Sequence, residues 1–231
     1  MTDIVVQQPA GAAKQLFLLH HGVGATPQGL LPLGRRLAAE FPEAMVVSVQ
    51  GPEASDLGQG YQWFSVIGIT EENRPERVAG AMSAFVKAVQ DWQARAGVSP
   101  EATALVGFSQ GAIMCLESTQ QNDFLAGRVV ALSGRFAQLP LAPHAHTTLH
   151  MVHGKADTVM HYGYTVTAAE HLVSLGADVT ADVTPFLAHE VNEAAGDTVI
   201  LAPPFNASDA ELDEIADKLV ATLETVVTGL C

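Results

Sequence analysis

Cysteine is nearly absent from this 231-residue chain. Cys115 and the terminal Cys231 cannot build a disulfide framework, which excludes the small secreted scaffolds held together by bridges. Positive charge is scarce as well: 11 Lys and Arg stand against 25 Asp and Glu, a formal charge of −14. Without a Lys/Arg footprint to displace counterions, the chain is not expected to bind nucleic acid. Lys218 is the only Lys or Arg after Asp157, so the acidity gathers in the C-terminal third, where it reads as a solubilising surface. Long apolar runs are missing too. The richest, residues 16–19, is cut off by His20 and His21, far short of the roughly 18 residues that would span a bilayer. The start Met1-Thr2-Asp3 carries neither a basic nor an apolar signal region. A cytoplasmic protein without membrane insertion is expected, either monomer or homodimer. Apolar residues at 48% against 16% charged exclude a disordered or coiled-coil chain and suit a heavily buried parallel sheet.

Short apolar runs bounded by Gly or Pro predict buried strands at 15–19, 44–49, 102–106, 128–132, 148–152 and 179–186. Helical patterns lie between them. One starts at Pro75, shows Val78, Met82, Phe85, Val86, Val89 and Trp92 on one face, and stops at Gly97. Another covers 162–175. A last helix is signalled by the box Ser208-x-x-Glu211 and by Leu212, Ile215, Leu219, Leu223 and Val227. A helix at 26–40 would contain Pro32, which should kink it or delay its start. Strands alternating with helices imply a mostly parallel central sheet with helices on both faces, and one α/β domain over 1–231 is expected.

The pentapeptide Gly107-Phe108-Ser109-Gln110-Gly111 falls where a predicted strand meets a predicted helix. A sharp strand-to-helix turn needs glycines on both flanks, because strand and helix come too close for a Cβ. Such a turn lifts the Ser109 hydroxyl above the sheet edge and aims the first free amides of the helix at the same spot. Ser109 is therefore the candidate nucleophile and the Gln110 amide half of an oxyanion site. Acyl transfer needs a second donor, from the loop after an early strand. His21-Gly22-Val23-Gly24 sits there, offering the Val23 amide, with the His21 imidazole expected to pin the loop.

A hydroxyl needs an imidazole to take its proton and a carboxylate to orient that imidazole. In the chain order Ser, acid, His, Asp157 lies in the loop after the strand at 148–152, and His189 follows the strand at 179–186. Asp182 and Glu190 are reserve acids. His161 lies too soon after Asp157, His171 lies within a helix, and His150 and His153 read as loop or core residues. Cys115 reads as a core residue rather than a thiol nucleophile.

These residues together resemble the phospholipase/carboxylesterase family, the acyl-protein thioesterase-like group, and within it small bacterial cytosolic esterases. The resemblance covers about residues 4–192. It rests on Leu19-His20-His21-Gly22-Val23-Gly24, Gln62-Trp63-Phe64-Ser65, Gly68-Ile69-Thr70-Glu71-Glu72-Asn73-Arg74, Gly107-Phe108-Ser109-Gln110-Gly111-Ala112, His153-Gly154-x-x-Asp157 and His189. It implies an α/β-hydrolase fold without a large lid, a triad of Ser109, Asp157 and His189, and oxyanion amides on Val23 and Gln110. It also implies hydrolysis of carboxylic esters or thioesters with no metal or organic cofactor; with no large lid insertion between the strands the site should be open, favouring short- to medium-chain esters, with a small-molecule ester as the partner. Trp63, Phe64 and Phe108 would line the substrate pocket. A thioesterase or lysophospholipase would use the same apparatus, and a non-catalytic binding member of the fold is the alternative from another class. Ala25, Thr158 and Ala188 replace the Asp, Pro and Gly usual at those positions in the family. The stretch 193–206, before the last helix, is atypical.

Overall fold

The computed structural model describes residues 2–121, 124–142, 145–184 and Asp217. Seven strands form one sheet: β1 (Ile4–Gln7), β2 (Gln15–His20), β3 (Ala44–Val49), β6 (Thr103–Phe108), β7 (Arg128–Leu132), β8 (Thr148–Gly154) and β9 (Val179–Thr184). Their order is β1-β3-β2-β6-β7-β8-β9. Every pair is parallel except β1 with β3. A two-strand ladder, β4 (Glu53–Ala54) with β5 (Tyr61–Gln62), stands apart from it. All six expected strands are present: 44–49 and 128–132 with the expected ends, three others with ends shifted by one or two residues, and the last from Val179, its expected end at 186 lying outside the described residues. The edge strand β1 and the β4–β5 ladder were not expected, because runs of four and two residues carry too little periodicity to be read.

Alternation along β2 shows how both faces are covered. Leu16 and Leu18 belong to one buried cluster, with α2 (Arg74–Ala96), α3 (Gln110–Ser118) and α4 (Gly163–Ser174). Phe17 and Leu19 belong to another, with Leu33 and Leu37 of α1 (Leu31–Glu40). Helix α2 buries Val78, Met82, Phe85, Val89 and Trp92 along one stripe and ends at Gly97, whose φ of 67° is the left-handed stop its glycine permits. At about 2 kcal/mol per buried side chain, that stripe contributes on the order of 10 kcal/mol to holding the helix on the sheet. Pro32 does delay α1: residues Pro27–Leu30 form a 3-10 turn, and the α-helix begins only at Leu31, where a ring at the first turn removes no helical hydrogen bond. No helix among the described residues is long and apolar enough to cross a membrane. The expected last helix and the stretch 193–206 lie outside the described residues.

Candidate active site

Strand β6 delivers Ser109 into a turn of φ 52° and ψ −115°, a conformation a side-chain-bearing residue holds at a cost of about 1–3 kcal/mol. The turn is locked by Ser109 N–H donating to the Leu132 carbonyl at 2.9 Å and by the Ser109 carbonyl accepting from Ile113 N–H at 3.0 Å. Both flanking glycines are required by space. A Cβ on Gly107 would lie 2.5 Å from the Ala112 nitrogen, and one on Gly111 would run into the His20 carbonyl oxygen. Ser109 is 4% exposed. Gln110 opens α3, so its amide is among the first-turn donors that no helical carbonyl reaches.

The loop after β2 lies directly against the serine. A Cβ on Gly22 would stand 3.2 Å from the Ser109 Cβ and 3.3 Å from the Phe108 ring. The Gly22 carbonyl accepts from Ala25 N–H at 3.2 Å, closing a tight turn with Val23 and Gly24 at its centre, and Gly24 supplies a φ of 76° there. His21, 0% exposed, holds this turn from within. Its Nε2 accepts from Gly51 N–H at 2.9 Å, which leaves Nδ1 to donate to the Gly22 carbonyl at 2.7 Å. Burial pushes its pKa down, so the ring stays neutral with both nitrogens engaged. An imidazole bound in this way has no lone pair to offer a serine.

The Gln110 side chain, to which no role was expected to fall, clamps a third segment onto the same place. Its Oε1 accepts from Trp63 N–H at 2.8 Å and its Nε2 donates to the Phe64 carbonyl at 2.7 Å. Trp63 Nε1 donates to the His21 carbonyl at 2.8 Å. Trp63, 3% exposed, also packs edge-on to Phe85 with ring centroids 5.5 Å apart. The structure thus sets Trp63, Phe64 and Phe108 among the buried core residues that brace the loops around Ser109.

Asp157 lies past the end of β8, two strands from β6, with its carboxylate buried. Oδ1 accepts from Val159 N–H at 3.0 Å and Met160 N–H at 2.8 Å, while Oδ2 is 3.4 Å from His153 Nε2. His153 Nε2 donates to the Met160 carbonyl at 2.7 Å, and its Nδ1 is 2.8 Å from the Thr165 hydroxyl. The acid is thereby fixed in direction by its own loop. Asp182, a reserve acid, pairs in register with Val152 within β9 and is not at the strand end. His189 and the other reserve acid, Glu190, lie outside the described residues, so the structure joins Ser109, Val23, Gln110 and their supporting glycines, and carries Asp157 to the same sheet edge. His161 is exposed and accepts from Gly163 N–H at 3.1 Å, and His171 donates to the Pro140 carbonyl at 2.7 Å. His150 faces Arg128 and Thr180 within the sheet.

Ser133 was missed. It follows β7 with a φ of 47°, is fully buried, and donates its amide to the Val152 carbonyl at 2.8 Å, bridging the strand beside Ser109 to the strand that leads to Asp157. Its hydroxyl has no hydrogen-bond partner among the described residues. The only hint in the sequence is the small pair Ser133-Gly134 directly after a buried strand.

A model of the phospholipase/carboxylesterase family matches residues 1–197. The chain is 48% identical over 188 residues to esterase YpfH of Escherichia coli K12, covering 81% of each chain. It is 29% identical to acyl-protein thioesterase 1 of Kluyveromyces lactis, covering 68% of this chain and 75% of that one. Among solved structures, esterase PE8 superposes with a TM-score of 0.72 at 28% identity, covering 92% of this chain and 95% of the other. The Bacillus cereus carboxylesterase shares the fold, with a TM-score of 0.69 at 20% identity over 94% of each chain.

Proposed function

The chain belongs to the phospholipase/carboxylesterase family, and from that premise we propose that it is a carboxylesterase hydrolysing short- to medium-chain esters through an acyl-enzyme on Ser109. The observation that carries this reading is the left-handed Ser109 at the β6–α3 turn, with the Gly22 backbone against its Cβ. Ser109 attacks the ester carbonyl while His189 takes its proton. The amides of Val23 and Gln110 receive the developing oxyanion, a donation worth about 100- to 1,000-fold in rate per donor. Asp157, held by the Val159 and Met160 amides, orients His189 and stabilises the imidazolium. His189 then protonates the departing alcohol and afterwards draws a proton from water, which attacks the acyl-enzyme and frees the acid and Ser109. No step calls for a metal or organic cofactor, and the partner is a small-molecule ester. The scarcity of cysteine supports work in the cytoplasm.

Thioester cleavage would run through the same groups, and the likeness to a thioesterase favours testing it. Turnover of p-nitrophenyl acetate and of an acyl-coenzyme A thioester, measured side by side, separates the two. Ser109→Ala and His189→Ala are each expected to lower p-nitrophenyl acetate turnover by at least about 1,000-fold. Turnover unchanged in Ser109→Ala would remove the mechanism.

A further inference from the structure

A cavity of about 540 Å3 opens between the segment after β7 and the start of α4, with Arg135, Phe136, Leu139, His161, Tyr164 and Thr167 on its walls. That size lies within the about 300–1,000 Å3 of ordinary ligand pockets. Both of the loops that form it lead to the site. Arg135 follows Ser133 and Gly134, and Gly134 packs on Ala112 of α3. His161 follows Met160, whose amide Asp157 binds and whose carbonyl His153 binds.

Arg135 is the group that ties this region together. Its Nη1 and Nη2 hold Glu71 bidentately at 3.2 Å and 2.7 Å, and its Nε donates to the Phe136 carbonyl at 3.1 Å. Its guanidinium carbon lies 3.7 Å from the Tyr164 ring centroid. With its side chain only 11% exposed, it joins three segments: the one before α2, the one after β7 and the first turn of α4. The Arg135 hydrogen bond, opposed by burial and aided by Arg74, sets the Glu71 carboxyl below its ordinary value, so the carboxylate stays ionised at neutral pH. A guanidinium already committed to a carboxylate and a ring presents a stacked wall rather than a free cation. On the walls themselves, the exposed Leu139 and Tyr164 stand with Phe136 and Ala137, and this apolar lining points to an uncharged occupant.

We propose that Arg135 is a specificity-determining positioning residue: stapled to Glu71 and stacked on Tyr164, it walls this cavity and limits the size of the uncharged apolar ester substituent that the cavity accepts. This rests on the hydrolytic reading above. Either substituent of the ester, acyl or alcohol, has the required chemistry.

The test compares wild type, Arg135→Ala, Glu71→Gln and the double variant on two series: p-nitrophenyl esters from acetate to octanoate, and acetates of alcohols from ethanol to octanol. The readout is the ratio of kcat/KM for long over short members. Removing the arginine wall is expected to raise that ratio by about tenfold in one series, mainly through a lower KM for the long esters, since each further buried methylene contributes about fourfold. Glu71→Gln, at an exposed position, should raise it less, because the arginine is released but still present. The double variant should match Arg135→Ala rather than exceed it. A rise in the first series assigns the cavity to the acyl group and a rise in the second to the alcohol. Ratios that stay level or fall in both Arg135→Ala and Glu71→Gln overturn the proposal. Absent acetate hydrolysis in the wild type, or full activity in Ser109→Ala, would instead sink the hydrolytic reading itself.

Discussion

His21→Ala tests whether the histidine that opens the loop after β2 is scaffold or base. The imidazole satisfies two buried backbone groups, the Gly51 N–H and the Gly22 carbonyl. Truncation leaves the Gly51 N–H without a partner, at about 1–3 kcal/mol, leaves the Gly22 carbonyl with only the longer Ala25 N–H bond, and opens a cavity where the ring had packed 5.6 Å from the Trp63 ring. A loss of about 4 kcal/mol is expected, which in a chain of this size lowers Tm by about 10 °C. The buried Trp63 and Trp92 report unfolding by fluorescence in a urea titration. Because Gly22 lies against Ser109, the freed turn also misplaces the Val23 amide, and kcat on p-nitrophenyl acetate should fall by about 100-fold, the worth of one oxyanion donor. His21→Gln carries one donor and one acceptor like the neutral ring, so it should recover much of both losses and keep the pH–rate profile of the wild type. A His21→Gln protein as stable as wild type yet about 10,000-fold slower would refute the scaffold role, since only loss of proton transfer could then explain the rate. A stability change under about 1 kcal/mol in His21→Ala would refute it from the other side.

Gly111→Ala drives a Cβ into the His20 carbonyl oxygen and to 2.8 Å from that of His21, so α3 must withdraw from β2. A loss of about 3 kcal/mol or more in urea unfolding is expected, together with a sharp fall in kcat. Gly80→Ala, within α2 and with nothing near the new methyl, should instead stabilise by about 0.5–1 kcal/mol; equal effects at the two glycines would contradict the packing argument. Acid should destabilise the protein through its buried histidines. Burial first of all lowers His20 to about 3, and burial followed by Arg128 lowers His150 to about 4. Both titrate near 6.5 when unfolded, so their stability contribution is complete above about pH 6.5 and is lost as pH falls towards the folded values. By pH 4.5 the loss is about 2–3 kcal/mol per histidine. His150→Gln should flatten the dependence by about one proton between pH 6 and 4.5, and an unchanged slope would show that His150 is not held neutral.

What could be read from the sequence and what could not divide along sequence separation. The β6–Ser109–α3 turn was legible because its constraint is local: two glycines, four residues apart, meet requirements that the strand and helix on either side of them create. The place of Asp157 in the loop past β8 was legible from the apolar strand directly before it, and the amides two and three residues on then fix its carboxylate. The Gln110 clamp was not, because its partners Trp63 and Phe64 lie 47 and 46 residues away and any amide side chain looks alike until the fold brings them together. The same holds for Arg135 and Glu71, 64 residues apart, and for Trp63, whose Nε1–H binds the carbonyl of a loop residue 42 positions away. These distant pairs carry a common consequence. The Ser109 turn alone stores strain, and the Gln110–Trp63–His21 network is what makes the surrounding loops rigid enough to hold it. Substitutions in that network should therefore lower activity and stability together, whereas substitutions at Arg135 and Glu71, one network further out, should alter which ester is preferred before they alter whether any ester is cleaved.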